Sequence, residues 1–471
     1  MGPDLTERLD EAAASFAAEH HLPGLAFGIV RDGELVHSAG LGEHTSGGSP
    51  PDAHTVFRIA SMTKSFTAAT VLRLRDAGAL ALDDPIAIHV PELADLRAPT
   101  ADSPALTVRH LLSMSSGWTP DDAWADRHLD ASAPELDAHL AAGPLFSVAP
   151  DTAFRYSNLG YAALGRAVAN VTGTSCQQVI TTELLRPLGM TQTGWTMPRD
   201  GAARVAQGYV WRDEGWHDDG PLLGDGQIAP MGGLWSTVAD LARWVAFLAD
   251  AFPARDGTED GPLRRSSRRE MQQIHRTITP SVTHHDDGST EFKSGGYGFG
   301  LGVSDDQTLG RLVGHSGGLP GFGSHMAWLP DHGVGVIALA NLRYARMRDF
   351  CVAALRLIHG RDDDLAAAAP NAPMLVELAA RLATLLNSWD DELAGEIFAD
   401  NVAQDESTER RRVAARELTE RLGPATVTDL VIEDWTSATF TLSGTRASAQ
   451  VIFDLSPTQP PRIQFYEVVD N

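Results

Sequence analysis

Cysteine, lysine and long apolar runs are what this chain lacks. Its 471 residues hold two cysteines, Cys176 and Cys351. Two are too few for a disulfide framework, and they have no metal-ligand spacing. A reducing compartment is the simplest reading. No window approaches the roughly 18 apolar residues of a membrane-spanning helix. Asp4, Glu7, Arg8, Asp10 and Glu11 precede any apolar run, so no secretory signal is visible and a cytoplasmic protein is expected. Positive charge is short as well: 37 Lys and Arg stand against 62 Asp and Glu, a net charge of −25. Such a surface repels nucleic acid and anionic membranes, so neither is expected as a partner. Only two of the basic residues are lysines, Lys64 and Lys293. Arginine keeps its proton, whereas lysine can act as a base, so a lysine retained among arginines is a candidate for chemistry.

What is present reads as two domains. An amphipathic helix over 4–20 is followed by apolar runs at 25–30 and 35–37. Between them lies Arg31-Asp32-Gly33-Glu34, a hairpin signal. Helical spacing from Ser61 through Met62, Phe66, Ala69 and Leu72 stops at Ala77-Gly78. Helical patterns at 108–114 and 159–171 fill the middle. Residues 253–296 are polar and read as a surface excursion with little core. Strand patterns follow at 299–303, 309–315, 324–329 and 334–340, then a closing helix at 347–358. This order predicts an α+β unit, an antiparallel sheet built from both ends with a helical domain inserted. It spans 1–360. Residues 361–373, with Asp362-Asp363-Asp364 and an alanine run, read as a linker. Residues 374–471 read as a small α+β domain, helices first and then four strands, resembling a small curved-sheet module or a lipocalin-like barrel.

Three short motifs carry chemistry. Ser61-Met-Thr-Lys64 puts a hydroxyl and an amine one turn apart at a helix start. A neutral amine there can take the serine proton, and the helix N-terminus favours a developing anion. The bland alternative is a helix cap beside a surface lysine. Tyr156-Ser-Asn158 precedes the 159–171 helix in a chain with six tyrosines. A phenol whose pKa a cation such as Lys64 lowers can relay a proton. The bland alternative is a turn with a packed ring. His315-Ser316-Gly317-Gly318 ends a strand pattern, where glycine permits close backbone approach and a backbone N–H can face an oxyanion. The alternative there is a plain glycine-rich turn.

Together, Ser-x-x-Lys, Tyr-Ser-Asn and His-Ser-Gly resemble the penicillin-binding-protein and class C β-lactamase superfamily. The texts Thr107-Val-Arg-His-Leu-Leu-Ser-Met-Ser-Ser-Gly117, Phe154-Arg-Tyr-Ser-Asn-Leu-Gly-Tyr161 and Gly232-Gly-Leu-Trp-Ser-Thr237 resemble it too. The resemblance covers roughly 5–358 and implies a β-lactamase/transpeptidase-like fold and an acyl-enzyme mechanism. It implies Ser61 as nucleophile, Lys64 and Tyr156 sharing base and acid duties, and Asn158 orienting lysine and substrate. The N–H groups of Ser61 and Gly318 would form the oxyanion hole. His315 departs from the lysine of β-lactamases, which helps grip a substrate carboxylate, so a dedicated β-lactamase is not expected. His315 could instead aid proton transfer or donate to Tyr156.

Other signals compete. Gly314-His-Ser316-Gly-Gly318 matches G-x-S-x-G, but more strand rather than a helix follows it. Gly295-Gly-Tyr-Gly-Phe-Gly300 superficially resembles a phosphate loop but lacks a following Lys-Ser/Thr. His284-His285-Asp286-Asp287 reads as solvated loop rather than a metal site. No metal or cofactor is expected. In the C-terminal domain, where acidic residues outnumber basic ones, Arg446 and Arg462 could meet a substrate carboxylate. The functional expectation is a stand-alone thioesterase that releases and macrocyclises a nonribosomal peptide. Its substrate would be a peptidyl thioester, free or carried on a peptidyl carrier protein. The alternatives are a cytosolic esterase or D-amino-acid-specific peptidase, and a non-catalytic binding module on the same fold.

Overall fold

In a computed structural model, residues 2–197, 204–220, 224–284, 290–360 and 372–470 are described. The chain divides into two compact units, Met1–Leu365 and Ala366–Asn471. The proposed linker lies almost wholly outside the described residues, as do His285, Asp286 and Asp287.

Unit 1 is built on one eight-stranded sheet. Helix α1 (Pro3–Glu19) leads into β1 (Gly24–Arg31) and β2 (Glu34–Gly42). Their turn takes Asp32 and Gly33 to φ +50° and +84°, as a two-residue hairpin turn of this kind requires. From the other end of the unit come β3 (Arg276–His284), β4 (Thr290–Tyr297), β5 (Gly302–Asp306), β6 (Gly310–Leu319), β7 (Phe322–Leu329) and β8 (Val334–Ala340). The strand order is β2-β1-β8-β7-β6-β5-β4-β3. The two ends of the unit therefore meet where β1 pairs antiparallel with β8, Leu25 opposite Ala340.

The central strands are apolar throughout because both faces are covered. In β1, Leu25, Phe27 and Ile29 join a core with α1 and the closing helix α5 (Met347–His359). Ala26 and Val30 face the opposite core. That second core holds α2 (Thr63–Asp76), α3 (Asn158–Thr172) and α4 (Val238–Ala249). Cys176 and Cys351 are both buried and unpaired, one in each core. Among the described residues no helix is long and apolar enough to cross a membrane.

The segment 253–296 departs from its reading as a coreless excursion. It supplies a helix, Arg265–Met271, and strands β3 and β4 at the sheet's edge. β3 is exposed along nearly all its length, so neither of its faces needed the apolar alternation that marks a strand in sequence.

Unit 2 has its own core beneath helices α6 (Pro373–Asn387) and α7 (Thr408–Leu422). Its strands β9 (Ala425–Ile432), β10 (Ser437–Gly444), β11 (Ser448–Leu455) and β12 (Ile463–Asp470) pair in sequence order. The α+β composition is as expected. Of the two forms the sequence left open, the described strands take the open sheet, a four-stranded meander rather than a closed barrel.

Candidate active site

Ser61 lies in a single 3-10 turn, Ala60–Met62, that runs directly into α2. Ala60, just before it, sits at φ +50°. That conformation costs an alanine about 1–2 kcal/mol, and strain of this kind collects at functional sites. Two strands hold the turn. The Ser324 hydroxyl of β7 donates to the Ile59 carbonyl at 2.8 Å. Gly317 of β6 lies so close that a Cβ there would fall 2.1 Å from the Ile59 oxygen. Glycine at 317 thus lets strand and nucleophile turn touch.

Lys64 follows one turn later and is fully buried. Its Nζ donates to Asn158 Oδ1 at 2.6 Å and to the Met231 carbonyl at 2.7 Å, and lies 3.0 Å from Ser61 Oγ. Burial depresses its pKa to about 8, against the pull of Asp122, Asp126 and Asp121. Carbonyl oxygens only accept. A neutral amine here spends both N–H bonds on Asn158 and Met231, and its lone pair is left facing Ser61.

Asn158 opens α3. Its Nδ2 donates to Asp122 Oδ1 at 2.7 Å, which assigns Oδ1 to the lysine side. Asp121 accepts the first two N–H groups of α3, from Asn158 at 2.7 Å and Leu159 at 2.8 Å. The anion at a helix N-terminus fixes that end in place. The Tyr156 hydroxyl lies close enough to Ser61 to interact with it, and Lys64 Nζ stands 4.8 Å from the Tyr156 ring centroid. Its phenol does not become acidic. Burial raises it well above the usual range, more than the nearby Ser61 lowers it, and Asp122 raises it further. Lysine, not tyrosine, is the group tuned toward neutrality.

His315 of β6 points to the nucleophile face with Val313, and both are buried. Its Nδ1 donates to the Ser316 carbonyl at 2.6 Å, so in the neutral ring Nε2 accepts from the Tyr297 hydroxyl at 2.9 Å. The expected hydrogen bond to Tyr156 is therefore not made, and the two rings are 6.3 Å apart, centroid to centroid. Burial and the Lys64 charge depress the imidazole to about 3, so this position carries no cation at neutral pH. Ser316 alternates to the other face, its Oγ 2.8 Å from His325 Nδ1. Gly318 lies beyond the last β5 partner of β6, Gly314, on a stretch of strand edge open to a substrate.

Ser61, Lys64, Tyr156, Asn158 and His315 are thus brought together with Gly317 and Gly318. The Ser316 side chain is turned away from them. Sequence reasoning missed Tyr297, the acidic pair Asp121 and Asp122, and the Met231 carbonyl. Tyr297 was within reach, as one of six tyrosines inside the Gly295–Gly300 run. Met231 acts through its backbone, which leaves no mark in sequence. Gly314–Gly318 lies within β6, with no elbow. The His284 ring lies 3.1 Å from Thr290 across its hairpin. Arg446 and Arg462 donate to the Glu420 and Gly395 carbonyls of their own unit. No cluster of three metal-ligating side chains occurs among the described residues.

A family model described as Beta-lactamase matches residues 9–360. Penicillin-binding protein 4 of Amycolatopsis lactamdurans is 31% identical over 344 residues, 71% of this chain and 84% of that protein. Protein flp of Staphylococcus aureus (strain NCTC 8325 / PS 47) is 26% identical over 346 residues, 72% of this chain. The match spans only 64% of the flp protein's length. Among solved structures, the octameric penicillin-binding protein homologue from Pyrococcus abyssi superposes with a TM-score of 0.62 at 22% identity. It covers 96% of this chain and 91% of its own. A class C beta-lactamase gives 0.60 at 19% identity, over 76% of this chain and 96% of its own.

Proposed function

Because the chain belongs to the beta-lactamase family, we propose that it is a serine acyl-transfer enzyme working through an ester on Ser61. One observation carries this: a buried lysine, lowered to about 8 and held by two carbonyl acceptors, with Ser61 Oγ 3.0 Å from its nitrogen. Neutral Lys64 takes the hydroxyl proton as Oγ attacks the acyl carbonyl. The N–H groups of Ser61 and Gly318 face the oxyanion. Collapse expels the leaving group and leaves acyl-Ser61. Lys64 then gives up the serine proton, to the departing group or to solvent. As a neutral amine it takes a proton from the incoming amine or water, which it returns to Ser61 Oγ as the serine is freed.

The acyl donor we propose is a peptidyl thioester, with an amine of the same peptide as acceptor, so that the product is a macrocyclic peptide. A carrier protein would present the thioester. A thiolate departs without a proton, which suits a site where the one N–H of neutral His315 is spent on the Ser316 carbonyl. The lack of charge at His315 also argues against substrates that need a cation for a carboxylate beside the scissile bond, β-lactams among them. Hydrolysis of esters or D-amino-acyl amides is the second reading. Lys64, once protonated, is an acid within reach of a leaving amine. A non-catalytic role would leave the assembled Ser61–Lys64–Asn158 contacts without a purpose.

The test is product analysis after mixing the protein with peptidyl thioesters ending in D- or L-residues, alongside Ser61→Ala. Cyclic peptide released only with Ser61 present supports the cyclase. Linear acid alone moves the assignment to hydrolase. Release unaffected by Ser61→Ala contradicts the acyl-enzyme itself.

A further inference from the structure

Tyr344 follows β8, and its backbone stands at φ +50°. A bulky side chain rarely occupies this region and stays there only when its surroundings over-determine it. Three contacts do so. Its N–H donates to the Phe322 carbonyl at 3.1 Å. Its hydroxyl donates to Oδ2 of buried Asp126 at 2.8 Å. Its ring lies on Gly318, where a Cβ would come within 2.6 Å of ring Cδ1. Asp126 is close enough to Lys64 for their charges to interact, and Gly318 lies on the open edge of β6. The ring therefore bridges the acidic loop beside Lys64 and the strand beside Ser61. Yet it is 47% exposed.

A ring strained into place, tethered at its hydroxyl and left half uncovered beside a nucleophile offers a flat apolar platform. We infer that Tyr344 is a specificity-determining residue whose open face receives a flat or apolar group carried next to the scissile carbonyl. The preferred acyl donors are then those with an aromatic or branched apolar substituent there. This inference rests on the Ser61 acyl-enzyme reading.

The test uses four thioesters that pair an acetyl or phenylacetyl group with an N-acetylcysteamine or thiophenol leaving group. Each is measured with the full-length protein, Tyr344→Phe and Tyr344→Gly. Glycine removes the ring and also relieves the positive φ, and a thermal melt checks that the variant is folded. The native protein should prefer the aromatic substituent at one of the two positions. Tyr344→Gly should cut that kcat/KM ratio about tenfold, and Tyr344→Phe should keep it. Equal ratios in all three proteins, with acylation still dependent on Ser61, overturn the inference and leave the acyl-enzyme intact. Turnover of all four that persists in Ser61→Ala contradicts the underlying reading instead.

Discussion

Lys64 is surrounded by opposing influences, and its charge state follows from their balance. Burial pushes the amine down, and three carboxylates push it back up. The free amine is the base, so kcat/KM on a thioester should rise with pH and level off through an inflection near 8. A rate that falls across that interval would contradict lysine as base. Asp122→Asn keeps an acceptor for the Asn158 amide but removes a charge that favours the ammonium. The inflection should then move to lower pH, and a purely structural role for Asp122 would not move it. Lys64→Arg keeps the charge without an available base and should lose about a thousandfold in kcat/KM. The pairing of Ser61 with Lys64 could be read directly, because lysine is so rare here. Tuning by Asp121, Asp122 and Asp126 could not, since aspartates are common in this chain and only folding brings these three beside the amine.

At the scale of elements, the site is a junction between the start of α2, the start of α3 and the open edge of β6. The close approach of β6 to the nucleophile turn depends on Gly317. Gly317→Ala would drive a methyl into the Ile59 carbonyl and push turn and strand apart. Displacements near 1 Å cost about a hundredfold in rate, so kcat/KM should fall by about that factor. Circular dichroism should stay native, and normal activity in this variant would refute the close contact. Elements with strong periodicity were legible. α2 was expected to stop at Ala77-Gly78 and ends at Asp76, with Gly78 at φ +73°. β1 and β8 read as apolar runs because both of their faces are buried. The β3–β4 hairpin was not legible, because exposed strands carry no burial pattern. Tyr297 went unrecognised with it, since its role depends on β4 joining the sheet near His315.

At the scale of the whole molecule, a change of texture near residue 360 was visible in the sequence, and the chain divides into compact units Met1–Leu365 and Ala366–Asn471. The openness of the second sheet was not visible, since the strand patterns give pairing order but not closure. The cores of the two units share no residues. Calorimetry should therefore resolve two unfolding transitions, and a single two-state transition would contradict independent cores. The family accounts for the fold and the acyl-transfer chemistry, while His315 and Tyr344 are where this chain's own selectivity is proposed to reside. Intact-protein mass spectrometry after brief exposure to a phenylacetyl thioester tests the central claim most directly. The account predicts a mass gain equal to one acyl group, mapped to the Ser61 peptide and missing from Ser61→Ala. An adduct that persists in Ser61→Ala, or turnover with the acyl group trapped on another residue, would contradict it.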